Sequence, residues 1–345
     1  MYDEEQSEMI RRFFAFARER HAIYLRRQAG VSAPWTRDPV LSHYRFTNVF
    51  RELDATTVWF RENVRDPMRD DPRVLLATVL FRWFNRITTG ETIFATDGPH
   101  TPWERALEQN STDPLYHALK HQEPPYVTGA YIVKTPNGFD KLGGVLKCVE
   151  WFIARESTPP GYDNPVGWGQ FAEACERGQD VSLEEAWGWL RQFPYMGDFM
   201  AYEVITDLRH TKLLERAPDI MTWANPGPGA HRGLSRIFCG WTKDRRPNPP
   251  PMSKMAMNKL MRDLLTASTM TRYWPQRSGG SLLFDHDYCE GEQWRLGDIE
   301  GCHQEAEHWP AWEMREVEHT LCEFDKYERA RLGEGKPRGV YRHGT

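Results

Sequence analysis

No stretch of about 18 consecutive apolar residues occurs in the 345-residue chain, which leaves no candidate for a membrane-spanning helix. The opening MYDEEQSEM has neither the basic start nor the apolar centre of a signal peptide, so a cytoplasmic location without a membrane partner is expected. Cysteine is sparse. The six residues Cys148, Cys175, Cys239, Cys289, Cys302 and Cys322 form no CxxC pair, and no His stands at zinc-ligand spacing, so reduced, mostly buried thiols and no metal site are expected. No G-x-x-x-x-G-K-[ST] loop is present to cradle a nucleoside triphosphate. Repeats of fixed period and low-complexity segments are missing too, apart from one proline run. Net positive charge is lacking: the formal balance is -5, which argues against coating a nucleic acid by bulk electrostatics.

What is present is aromatic and helical. Fourteen Trp, 17 Phe and 13 Tyr supply the large side chains that a disordered chain lacks. Apolar residues at three- and four-residue steps predict helices over 4–27, 42–65, 71–87, 140–154, 198–211, 252–273 and 310–332. Shorter helices are expected at 114–121, 168–176 and 182–191, the last with Ser182 and Glu185 as a capping box. The stretch 88–135 reads as irregular around 114–121, and its YVTGAYIV segment (126–133) fits either a strand or the entry to a helix. RRPNPPP (245–251) cannot continue a helix. These elements predict a mainly α fold: a helical body over 1–250 and a C-terminal helical lobe over 251–345 packing on the same site.

Charge gathers locally in spite of the overall balance. Arg11, Arg12, Arg18, Arg20, Arg26 and Arg27 crowd the first helix, Lys243, Arg245 and Arg246 form a second cluster, and Lys336, Arg338, Arg342 and His343 mark the tail. Such patches suit phosphates, and equally suit solvated helix faces with acidic partners. In Pro226-Gly-Pro-Gly-Ala-His-Arg-Gly, Gly227 and Gly229 precede a helix, where backbone N–H groups and the helix N-terminus can meet an anion and Arg232 can add a charged contact. An ordinary tight interhelical turn is the alternative.

Three segments resemble the phage α-glutamyl/putrescinyl-thymine pyrophosphorylases, the amino acid:DNA transferases. They are RHAIYLRRQAG (20–30) with PWTRDP (34–39) and YRFTNVFRE (44–52); PGPGAHRGL (226–234); and EHTLCEFDKYER (318–329) with the basic KPRG tail. A related helical domain occurs in phage 5-hydroxymethyluracil DNA kinases. The resemblance implies replacement of the phosphate or pyrophosphate on a DNA 5-hydroxymethyluracil by an amine, from an amino acid or a polyamine. DNA, that donor and a separate kinase are the implied partners; no cofactor is implied beyond Mg²⁺ accompanying the pyrophosphate. It also implies a distant likeness to the helix-hairpin-helix DNA glycosylases. Their aspartate has its nearest counterpart here in Asp244, flanked by Lys243 and Arg245 as in a surface ion pair.

Within that frame a helix over 42–65 sets Tyr44, Asn48, Arg51 and Glu52 on one side. Asn48 is assigned to the edge of an extruded base and Arg51 to the phosphate leaving group, with Glu52 beside them and Arg45 as a DNA contact. An Asn–Arg–Glu network joining helices is the alternative. The last helix lines up Glu318, Cys322, Asp325 and Arg329, next to His319, Glu323 and Lys326. Glu318 and His319 are candidates for deprotonating the amine, and Asp325 is a further catalytic candidate. Lys326 and Arg329 are assigned to phosphate, and Cys322 to addition at C6 of the pyrimidine or to packing. Tyr202 and Asp207 form a third polar face beside Glu203, and Tyr24, Arg27 and Trp35 complete the expected wall. An N-glycosidic hydrolase and a non-enzymatic DNA-binding partner of a kinase are the rival functions.

Overall fold

A computed structural model describes residues 2–95, 100–153, 180–274, 311–335 and 339–340. Among them the chain is mainly α, with no strand; an isolated antiparallel bridge joins Tyr44 to Val340. The helix expected at 168–176 and the tail cations Lys336, Arg338, Arg342 and His343 lie outside the described residues, as do Cys175, Cys289 and Cys302. No described helix is long and apolar enough to cross a membrane.

The helices are α1 (Glu4–Gln28), α2 (Pro39–His43), α3 (Ala55–Phe60), α4 (Val74–Phe84), α5 (Ile87–Ile93), α6 (Pro102–Gln109), α7 (Asp113–Leu119), α8 (Lys141–Ile153), α9 (Leu183–Leu190), α10 (Asp198–Leu208), α11 (Pro228–Cys239), α12 (Lys254–Ala267) and α13 (Met314–Arg331). They divide into two compact units: Met1–Arg51 with Met221–Thr345, and Glu52–Ile220. The first 51 residues belong with the C-terminal third because α1 buries Phe13 and Phe16 against Phe324 of α13, at ring-centroid distances of 5.5 and 5.9 Å.

In the first unit, Asp3 and Gln6 form a capping box that starts α1. Phe14 lies against Trp274 and Trp312, and Phe16 against Tyr327. Each such ring contributes roughly 1.5–3 kcal/mol by leaving water. Asp38 ends the connector after α1: its carboxylate accepts the Val40 and Leu41 amides and the Tyr327 hydroxyl. Burial pushes the Asp38 carboxyl above its usual range in spite of those bonds.

The helix expected over 42–65 is broken. Asp38 caps α2 early and Pro39 sits at its first turn, the chain is extended at Tyr44, and a 3-10 turn, Arg51–Leu53, precedes α3 and a π turn at Arg61–Arg65. Tyr44, Asn48, Arg51 and Glu52 therefore do not share a helical face. The cause lies outside the segment: Arg20 of α1 draws the Phe46 carbonyl to itself through Nε and Nη2, and Tyr44 pairs with Val340.

In the second unit every residue of α4 is buried. Phe81 stacks on Phe60 and Trp59, and Gly90 of α5 admits the Trp59 ring where a Cβ would stand 2.4 Å from it. Arg82 of α4 forms a fully buried ion pair with Asp207 of α10 and donates to Asn85 and Thr57. The helices α5 and α6 stand in a stretch read from the sequence as irregular. The YVTGAYIV segment is neither strand nor helix.

Candidate active site

The first unit is organised by a close seam between α11 and α13. A Cβ on Gly229 would stand 2.8 Å from Cys322 Sγ, and one on Gly233 2.6 Å from the carbonyl oxygen of Leu321. Two glycines four residues apart thus let the α13 backbone lie almost on that of α11. Along the seam Gly227 meets Glu318, Arg232 meets Asp325, and Arg236 meets Asp325 and Glu334.

At the N-terminus of α11 the anion is a side chain of the same protein. Gly227, the N-cap, donates its amide to Glu318 Oε1 at 3.2 Å, and Glu318 is buried. The Cys322 thiol lies 3.5 Å from the same oxygen, and the Ala230 amide hydrogen-bonds the Cys322 sulfur. Burial, then the neighbouring Glu318 and Glu323, holds the Cys322 thiol well above the usual thiol range. It is a protonated donor at neutral pH, so the seam does not activate it as a nucleophile. His319, one residue along, has its Nε2 shielded from solvent without a hydrogen-bond partner among the described residues.

A turn further on, Asp325 is fully buried and gathers three arginines. Arg232 Nε lies 2.7 Å from Oδ2, Arg236 Nε 3.0 Å from Oδ1 and Arg329 Nε 3.2 Å from Oδ2. Arg236 also bonds Glu334 at 2.5 Å and lies over the Trp241 ring, 4.7 Å from its centroid. Burial opposes the Arg236 charge, yet Glu334 and Asp325 hold its pKa above the usual value; Glu334 in turn sits below the usual carboxylate range despite its own burial.

The adjacent face of α13 carries His319, Glu323 and Lys326 at steps of four and three, and this face fixes the loop bearing Asn48. Lys326 Nζ donates to the Arg45 carbonyl, and the Thr47 amide donates to Glu323 at 3.1 Å. Arg20 Nη2 donates to Asn48 Oδ1 at 2.7 Å, so the amide is held by α1. The structure thus brings Asn48, Arg45, Glu318, His319, Cys322, Asp325, Lys326, Arg329, Gly227, Gly229 and Arg232 into one unit, around α13. Arg20, Arg236, Glu334 and Gly233 belong to the same arrangement and had not been singled out for it. Arg232/Arg236 and Gly229/Gly233, both four apart, were the available signal.

The other candidates are placed elsewhere. In the first unit Tyr24 stacks on His21, and exposed Arg27 covers Trp35, whose Nε1 donates to the Val31 carbonyl. Arg51 closes the N-terminal stretch of that unit. Glu52, Tyr202 and Asp207 belong to the second unit. There Glu52 takes a bidentate bond from Arg65 at 2.9 and 2.6 Å and lies 3.5 Å from His210, Tyr202 is buried, and Asp207 is engaged by Arg82. Asp244, the counterpart of the glycosylase aspartate, is exposed in the turn after α11. Among the described residues no group of three or more His, Cys, Asp or Glu side chains is arranged to hold a metal ion.

Residues 7–270 match the family model described as the helical domain of 5-hmdU DNA kinase. The chain is also similar to a 5-hmdU DNA kinase of Bacillus phage SP10, with 29% identity over 241 residues, covering 64% of this chain and 34% of the kinase. It therefore spans about a third of that relative's length. No solved structure matches it. The matched residues include α11, whereas α13 lies beyond them.

Proposed function

From the premise that the chain belongs to the family of 5-hmdU DNA kinase helical domains, we propose that it modifies DNA by transferring an amine onto phosphorylated or pyrophosphorylated 5-hydroxymethyluracil. The observation that carries this reading is the buried Glu318 carboxylate at the N-cap amide of α11, beside a cluster of arginines on the same helix pair.

The reaction is a displacement at the exocyclic methylene carbon. The amine nitrogen lone pair forms the C–N bond, the C–O bond to the (pyro)phosphate breaks, and its electron pair departs on the phosphate oxygen. The proton lost by the amine goes to a carboxylate, for which Glu318 is the candidate and His319 the neighbour able to relay it. Asn48, with its carbonyl oxygen oriented by Arg20, reads the edge of the extruded base. Cys322 packs the seam and keeps its proton. Any Mg²⁺ enters with the diphosphate as part of the substrate. A phosphoryl-transfer reaction on the hydroxymethyl group must precede this step, which fits a kinase as a partner in sequence.

The test incubates the full chain with kinase-treated 5-hydroxymethyluracil DNA and a mixture of amino acids and polyamines, then digests to nucleosides for mass spectrometry. An amine-bearing thymidine together with released (pyro)phosphate is expected, and Glu318→Gln should abolish both while leaving helical content unchanged. Free base signals an N-glycosidic hydrolase. DNA binding without any product signals a module that serves a kinase, a role consistent with a match to only part of that enzyme. Either result overturns the proposal.

A further inference from the structure

We infer that Arg232 and Arg329 form a binding fork for a phosphate oxyanion, oriented by Asp325. The cluster holds more positive than negative charge. Arg236 is buried, with Nε on Asp325 Oδ1 and Nη2 on Glu334. Arg232 and Arg329 are left to share one oxygen, Asp325 Oδ2, at 2.7 and 3.2 Å. Three guanidiniums against two carboxylates leave one unit of positive charge, and it is displayed where these two side chains are 32% and 33% exposed.

Arg232 is also aimed: its Nε donates to Asp325 Oδ2, whereas Arg329 Nε stands 3.2 Å from the same oxygen as an ion pair without a hydrogen bond, and no Nη atom of either has a hydrogen-bond partner among the described residues. A guanidinium anchored at Nε presents its outer N–H edge in a fixed direction, the geometry that phosphate oxygens accept. Asp325 is completely buried on α13, and Gly229 and Gly233 fix α13 against α11, so the distance between the two arginine stems is set by the helix seam. Asp325 acts here as a positioning residue. On the neighbouring face Lys326, over the Phe46 ring and bonded to the Arg45 carbonyl, is paired with Glu323 at 3.6 Å, next to exposed Arg45.

The ligand chemistry is a phosphate group, from either of two sources: the leaving diphosphate or the DNA backbone. Only its assignment to the leaving group rests on the amine-transfer reading. Inorganic pyrophosphate binding is measured by calorimetry on the full chain, and binding to unmodified DNA by fluorescence anisotropy across a salt series. Both are repeated on Arg232→Gln/Arg329→Gln, which leaves Asp325 paired with Arg236. Losing two charge-assisted contacts should weaken the bound phosphate by about tenfold or more. Weaker pyrophosphate binding with an unchanged DNA salt slope places the diphosphate in the fork. A DNA salt slope lower by about two, with pyrophosphate unaffected, places a backbone phosphate there. Arg232→Lys/Arg329→Lys separates fork from charge, since it keeps the charge and should recover only part of the affinity. Double Gln variants that bind pyrophosphate and DNA as the unaltered chain does would overturn the inference, whether or not amine transfer is observed.

Discussion

Replacing Gly233 with alanine puts a methyl carbon 2.6 Å from the Leu321 carbonyl oxygen. Carbon and carbonyl oxygen ordinarily meet at ~3.3 Å or beyond, so the two helix backbones must part by about 0.7 Å. The obstacle is backbone inside a helix and cannot swing aside as a side chain would. Overpacking of this kind costs about 1–3 kcal/mol, and the better helix propensity of alanine returns about 1. A net loss of up to about 2 kcal/mol is expected, which speeds hydrogen exchange in peptides covering α11 by up to roughly 30-fold. The parting also lengthens the Gly227–Glu318 and Arg232–Asp325 bonds, so pyrophosphate affinity should fall in the same variant. Gly188 of α9 is the internal control, because a Cβ there meets nothing within 4 Å. Gly188→Ala should stabilise its own helix by about 1 kcal/mol. If Gly233→Ala slows exchange as Gly188→Ala does, the close seam is not what holds α13 in place.

In the second unit, Asp207→Asn leaves the Arg82 guanidinium buried without its counter-charge and should cost about 3–5 kcal/mol in denaturant unfolding; a loss within 1 kcal/mol of zero would contradict the pairing. His21 is buried beside Arg20, and desolvation first, then that charge, lowers its pKa to about 3. Between pH 3 and 6.5 the unfolded chain therefore binds more protons, so stability rises with pH there and is lost as pH falls, with a slope of at most ~1.4 kcal/mol per pH unit from this group. His21→Gln should flatten that slope in urea midpoints taken at pH 4–6.5, and an unchanged slope rejects the assignment. Alkylation by iodoacetamide followed by peptide mass mapping should label exposed Cys239 well before Cys322, whose thiol is held protonated in the seam. Rapid labelling of Cys322 would mean that α11 and α13 separate readily.

Elements announced by local chemistry were legible. Ser182 and Glu185 make the capping box read from the sequence, and α1 and α13 lie within a few residues of their predicted bounds. The box formed by Thr101 and Glu104, with Pro102 at the first turn, carried the same signal for α6 and was passed over amid the surrounding turn residues. The break between residues 44 and 54 of the helix expected over 42–65 had a different origin. Phe46, Val49, Phe50 and Leu53 are spaced as a helical stripe, but the segment is held open by Arg20, 26 residues before Phe46, and by Glu323 and Lys326, more than 270 residues beyond it. The pairs Arg82–Asp207 and Arg232–Asp325 are separated by 125 and 93 residues, and no window of sequence contains both members. Polar spacing on α13 marked which residues share a face. It could not say which partner each carboxylate takes.

The Gly-Pro-Gly turn shows how a correct physical signal can carry an incomplete identification. Glycines ahead of a helix, with an arginine in its second turn, predict that the helix N-terminus meets negative charge. It does, and the charge is Glu318. One to two turns along, Arg232 of the same motif is turned by Asp325 to stand with Arg329, and under the proposed fork these two meet an incoming phosphate in place of the engaged amide. Glu318 and Asp325 are seven residues apart on α13, about 10 Å along its axis. Glycine at positions 229 and 233 fixes both ends of that interval at once, which is why a single added methyl at Gly233 tests the carboxylate and the arginines together.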